Sequence, residues 1–252
     1  MRVAPVGLFA ARADWSAAGT FDLATTLAAL THGHPSGSLP AGVLAVAVRE
    51  LIVGAGLPEA LATAKGILRN RSGHEETLTA LEAAESLAGS GLSHEAAITR
   101  LGEGWVGEEA LAIAVYSALV ADDLEDAVII AVNHDGDSDS TGAIAGNLLG
   151  ARDGVEAIPP RWLEPLELRD VIVENQTTAC DIRVVDGRFA EIGQGLAAGD
   201  AEVVEGQGRL VLPPIIESHV HLDSALTAGE PRWNETGTLF EGIAVWAERK
   251  QS

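Results

Sequence analysis

The chain has 252 residues, 47% of them hydrophobic and 21% charged, an ordinary balance for one or two globular domains. Its 37 acids outweigh 16 bases for a net charge of −21, which disfavours nucleic acid and anionic lipid as direct partners. Cys180 is the single cysteine, so neither an intramolecular disulfide nor a Cys-rich zinc module is expected.

From the start, "MRVAPVGLFAARADW" lacks the long apolar core of a signal peptide. With the lone cysteine, this leads to an expected cytoplasmic location. From Phe21 to about Gly150 apolar residues recur at helical spacing, in "FDLATTLAALTHGH", "AGVLAVAVRELIVGAG", "LPEALATAKGILRN" and "HEETLTALEAAESLAGSG". Gly54, Gly56, Gly89 and Gly91 are read as helix ends and Pro58 as a helix start. "EEALAIAVYSALV" is apolar nearly all round, as a central helix would be, and is too short to span a bilayer. The first part is therefore expected to be an all-α bundle with no membrane partner. With aromatics at 4%, its core must be Ala, Leu, Val and Ile.

Small features along this part have local readings. Asp122-Asp123 in "VADDLEDA" reads as a solvated helix junction, and His34 as a turn residue before Pro35. His74, His94 and His134 read as surface or cap residues, and Trp105 as core packing at a helix start.

"NHDGDSDSTGAIAG" then places Asp135, Asp137 and Asp139 at alternate positions before a helix expected to begin near Thr141. In an extended segment Asp137 and Asp139 would point to one side, with Ser140 beside them. Crowded carboxylates need a cation or donors to stay ionised, and oxygen ligands suit Mg²⁺ or Mn²⁺. Asp139 or Ser140 capping the helix, after a turn at Asp135-Gly136, is an equally open reading. An EF-hand is excluded, because Ser140 and Gly146 stand where it needs Gly and Glu.

After "IPPRWLEPLE" the texture changes to a predicted hairpin, "CDIRVVDGRFAEIG", turning at Asp186-Gly187. "LVLPPII" reads as a strand buried on both faces. A boundary falls near Asn175 to Thr178, giving segments 1–175 and 176–252. "ESHVHLD" puts His219 and His221 on one side of a strand, a spacing that suits two imidazoles on one metal or two ordinary strand histidines.

Two resemblances follow from these motifs. "GDSDSTGAIAGNLLGA", with "MRVAPVGLF", "LTHGHPSG", "GEGWVGEEALAIAVYSAL" and "IPPRWLEPLE" in order, resembles the ADP-ribosylglycohydrolase family over about Met1 to Val173. That resemblance implies an all-α fold with a dinuclear Mg²⁺ or Mn²⁺ centre, cleaving ADP-ribose from a protein side chain or a related acceptor. It implies Asp137, Asp139 and Ser140 as metal ligands, Ser140 replacing the usual threonine, and His32 as a lining residue of the substrate cleft. The family's earlier acidic and hydroxyl-Asp-Asp-hydroxyl motifs have no counterpart after Met1. The bundle is thus expected to be incomplete, to bind metal weakly, and to leave its catalytic carboxylate unassigned.

"GRLVLPPIIESHVHLDSALTAGEPRWNETGTLFEGIAVWAERK" resembles the start of cytosine deaminase, an amidohydrolase, after a small β segment. It implies His219 and His221 as Fe²⁺ or Zn²⁺ ligands at the end of a first (β/α) barrel strand. A barrel takes about 250 residues, so one ending at Ser252 would need a complementing chain. The whole chain is expected to be a fusion of these two partial domains. Hydrolysis of ADP-ribosyl linkages, impaired by the incomplete metal site, is the first expectation, with cytosine deaminase-like amidohydrolase chemistry and a non-catalytic ADP-ribose-binding or remnant fusion protein as the alternatives.

Overall fold

The computed structural model describes residues 2–164, 181–185, 188–199, 203, 231–232, 235–236 and 239–251. In chain order these form α1 (Ala4–Arg12), α2 (Ala17–Ala29), α3 (Pro35–Ile52), α4 (Leu57–Leu68), α5 (Glu75–Ala88), α6 (His94–Leu101), α7 (Gly107–Val120), α8 (Leu124–Val132) and α9 (Ser138–Asp153). A 3-10 turn (Val155–Ala157), α10 (Pro160–Leu163), a hairpin of β1 (Asp181–Val185) and β2 (Arg188–Gly193), and α11 (Leu239–Gln251) follow. The chain divides into two compact units, Met1–Trp162 with Asp223–Ser252, and Leu163–Leu222.

The predominance of helix agrees with the all-α expectation. Helices α3, α7 and α9 pack against one another, with α1, α2 and α4 on α3, α5 and α6 on α7, and α8 against α7 and α9. Every residue of α7 from Ala110 to Ala118 is buried, as its unbroken apolar sequence requires. Alanine and glycine let these helices approach closely. A Cβ on Gly7 of α1 would lie 2.5 Å from the Ala45 carbonyl of α3, and one on Gly42 would strike the Phe21 ring of α2. Tyr116, Phe21, Ile113, Leu148 and Leu149 fill the space that the small residues leave.

Side chains stop and start the helices. Ser16 accepts the Gly19 N–H, Ser93 that of Ala96, and Asp123 that of Asp126. The Asp122-Asp123 junction is thus a helix cap, as its sequence suggested. Gly56 differs from expectation, since it is the N-cap of α4 and not the end of α3. The turn out of α3 is made by Gly54 at φ +98°.

In the second unit the predicted hairpin is present. The strands pair antiparallel, Val185 opposite Arg188 and Asp181 opposite Gly193, with a bulge between Arg183 and Val184. The strand predicted over "LVLPPII" and the boundary at Asn175 to Thr178 lie outside the described residues. Among the described residues no helix is long and apolar enough to cross a membrane.

Candidate metal and substrate site

The aspartate segment begins with a backbone contact that only glycine permits. A Cβ on Gly136 would lie 1.8 Å from the Glu103 carbonyl oxygen. The next residue, Asp137, donates its N–H to that oxygen at 2.8 Å. The loop before α7 and the loop before α9 are thereby joined backbone to backbone.

Asp137 is the N-cap of α9. Its Oδ1 accepts the Ser140 N–H at 3.4 Å and its Oδ2 accepts the Ser140 hydroxyl at 2.8 Å. The helix starts at Ser138, earlier than the expected Thr141, and its cap is neither Asp139 nor Ser140. Asp137 and Asp139 are therefore brought together by the first turn of a helix and not by an extended strand. The cap bond bends the chain at Asp137, so the segment enters the helix and does not run on as a strand.

The electrostatics are those of two crowded carboxylates. Burial is the largest effect raising the Asp137 carboxyl above its ordinary value, and its hydrogen bond and charge interaction with Asp139 add to it. The hydroxyl and N–H of Ser140 pull the other way. Ser140 is buried and Asp139 exposed, so the pair opens to solvent on one side. The donors are all oxygen, as a hard cation prefers. Among the described residues no group of three or more His, Cys, Asp or Glu side chains gathers as a metal cluster. The oxygen set thus suits such a cation in kind and fills only part of its shell.

His134 is half-buried and caps this turn, one of the two readings its sequence left open. Its Nδ1 accepts the Gly136 N–H at 3.0 Å, which leaves the ring proton on Nε2 to be donated to Thr141 Oγ1, also at 3.0 Å. Thr141 in turn donates to the Ala131 carbonyl at 2.7 Å. A histidine two residues before a glycine was the sequence signal for this bracket.

Trp105 was expected in the core and is 47% exposed. Its indole Nε1 donates to the Glu103 carboxylate at 3.0 Å, which holds the ring at the surface. Helical spacing places residues within helices, and Trp105 stands in a loop where that spacing has no meaning.

The expected substrate residue His32 follows α2, and Gly37 of α3 lies against it, a Cβ there coming 2.9 Å from His32 Cβ. Its Nδ1 hydrogen-bonds Thr31 Oγ1 at 2.8 Å. The residue is exposed, and desolvation of the ring, then the Arg2 charge, lower its pKa. His34 is the N-cap of α3, with Nδ1 2.8 Å from Ser36 Oγ. The Ser36 carbonyl lies against Gly107 at the start of α7, and Gly104 lies against Asp137 and Thr141. The starts of α3, α7 and α9 are thus successive neighbours, with His32 beside the first and the carboxylates at the last. His219 and His221 lie outside the described residues.

A sequence model of the ADP-ribosylglycohydrolase family matches residues 1–192. The chain belongs to the ADP-ribosylglycohydrolase family, a family of hydrolases. It is also similar to an uncharacterized protein of Archaeoglobus fulgidus, 33% identical over 119 residues, which are 44% of this chain and 38% of that protein. A dihydroorotase of Bacillus cereus is 39% identical over 67 residues, 26% of this chain and 15% of the dihydroorotase. One from Bacillus thuringiensis is 37% identical over the same length. The chain therefore spans well under half of the curated relatives it matches. No solved structure matches it.

Proposed function

We propose that the chain is a metal-dependent hydrolase of the bond between ADP-ribose and an acceptor, with Asp137, Asp139 and Ser140 holding Mg²⁺ or Mn²⁺. The observation that carries this is the first turn of α9, where two carboxylates and a buried hydroxyl meet at a solvent-open edge. Bound there, the cation would supply positive charge to a ribose diol and a more acidic water.

The residues themselves do the rest. Ser140 fixes the orientation of the Asp137 carboxylate through its hydroxyl and N–H. Asp137 and Asp139, ionised, provide the negative charge that selects a divalent cation over water. The bound cation's positive charge would hold an anionic diphosphate despite the acidic surface. His32 can exchange hydrogen bonds with a sugar or base at the far side. Three oxygens fill about half of an octahedral shell, so affinity for the metal is low and turnover slow.

Calorimetric titration with Mn²⁺ and then ADP-ribose tests this, in the wild type and in Asp137→Ala. Binding lost in the variant is the expected result. Turnover of an ADP-ribosylated substrate that survives Asp137→Ala combined with Asp139→Ala would refute the assignment. ADP-ribose binding without turnover would instead support the non-catalytic alternative.

A second reading is favoured by the similarity to dihydroorotases, which covers about a quarter of the chain. We infer that the chain also carries the front of an amidohydrolase domain, with His219 and His221 as ligands of Fe²⁺ or Zn²⁺. The relatives found are named dihydroorotase, so cytosine is one candidate substrate among cyclic amides. Zn²⁺ binding unaffected by replacing both histidines with alanine would exclude these ligands.

A further inference from the structure

We propose that Glu109 is a positioning residue for Asp137, its carboxylate clamping the loop whose backbone holds the start of α9. The inference rests on the reading of Asp137 as a metal ligand. Glu109 is the third residue of α7. A glutamate there commonly reaches back to the N–H of its own N-cap residue. Glu109 reaches further, and its Oε2 accepts the N–H groups of both Glu103 and Gly104, each at 3.1 Å.

The loop is shaped for that carboxylate. Gly102 has φ +115°, and a Cβ on it would lie 2.3 Å from Glu109 Cδ. Gly104 has φ +80° and sits against the Thr141 methyl and Asp137. Between these glycines, the Glu103 peptide presents its N–H to Glu109 and its carbonyl to the Asp137 N–H. One hydrogen-bonded path thus runs from the Glu109 carboxylate through Glu103 to the Asp137 backbone. Asp137 and Ser140 are then aimed by the cap bonds. Without the carboxylate, two loop N–H groups lose their acceptor, and the Glu103 carbonyl is no longer held where Asp137 needs it.

The test compares Glu109→Gln, Glu109→Ala and Glu109→Asp in the full chain by amide hydrogen exchange and Mn²⁺ titration. One oxygen accepts both N–H groups, so a glutamine oxygen can replace it, whereas alanine has none and aspartate is too short. Exchange at Asp137 should quicken at least about tenfold in the Ala and Asp variants, with α7 core amides such as Ile113 unchanged, and stay near wild type in the Gln variant. Mn²⁺ affinity should fall by about 10–100-fold in Ala and Asp only, as for loss of a group that orients a ligand. Unchanged Asp137 exchange in both, or equal loss in Gln and Ala, would overturn the clamp. Should the variants unfold, native-state exchange of the wild type decides. Glu103, Gly104 and Asp137 must open as one unit, and separate opening overturns the proposal. A wild type that binds no Mn²⁺ would sink the metal reading, while the exchange result still decides the clamp.

Discussion

Asp137 caps α9 and at the same time crowds a second carboxylate, Asp139. Its pKa in the fold lies above the ordinary 3.8, so its stabilising contribution is full below that value and is lost as pH rises through the raised pKa. At pH 7 the ionised pair opposes folding. Asparagine caps a helix about as well as aspartate, and its amide can donate to Asp139. Asp137→Asn should therefore melt at or above the wild-type temperature at pH 7, lose that advantage toward pH 4, and bind no Mn²⁺. A melting temperature several degrees lower at pH 7 would show that the carboxylate stabilises the fold. The residue types at this site, with Ser140, are legible in the sequence because oxygen donors crowded before a helix have few uses. Which of them caps and which is exposed is not legible, since both follow the same local spacing.

The elements divide into those that local sequence defines and those held by remote backbone. Two glycines, one just before α9 and one late within it, separate these cases. Gly150 lies inside α9 with open space around a would-be Cβ, so Gly150→Ala should stabilise by about 0.5–1 kcal/mol through helix propensity. Gly136 abuts the Glu103 carbonyl, and Gly136→Ala should cost at least about 2 kcal/mol as the two loops are forced apart. Urea titration of both measures the difference, and equal effects would deny the loop contact. In α11, Glu241 accepts the Thr236 N–H and hydroxyl and has its pKa lowered to about 2. This bond contributes above the ordinary 4.5 and is lost as pH falls toward about 2. The Thr236 amide should accordingly lose protection, measured relative to its intrinsic exchange rate at each pH, over that window, and constant protection would remove Glu241 as the staple. Helices α3, α4, α5 and α7 are readable from period because each buries one face or all of itself. The α9 start is not, because several neighbouring oxygen side chains could cap it and the loop before it is pinned by Glu103, far away in sequence.

The whole molecule folds against its own charge. A net −21 spread over this surface is repulsive at low ionic strength. Raising NaCl from 10 to 150 mM shortens the screening length from about 30 to about 8 Å, and the melting temperature should rise by a few degrees. A fall would mean that ion pairs such as Arg71–Asp22, at 2.7 Å, outweigh the repulsion. Mg²⁺ at matched ionic strength should add a further rise that Asp137→Asn abolishes. The sequence by itself determined the helical bundle, its alanine-rich core and the hairpin, and offered the oxygen donors of the proposed site, because periodicity and residue chemistry act over a few neighbours. Only the tertiary structure decided that the Glu103 carbonyl receives the Asp137 N–H, that Gly136 abuts that carbonyl, and that Gly104 lies against Asp137 and Thr141. Those outcomes depend on which distant backbones touch, and contact between chain segments remote in sequence leaves no period to read.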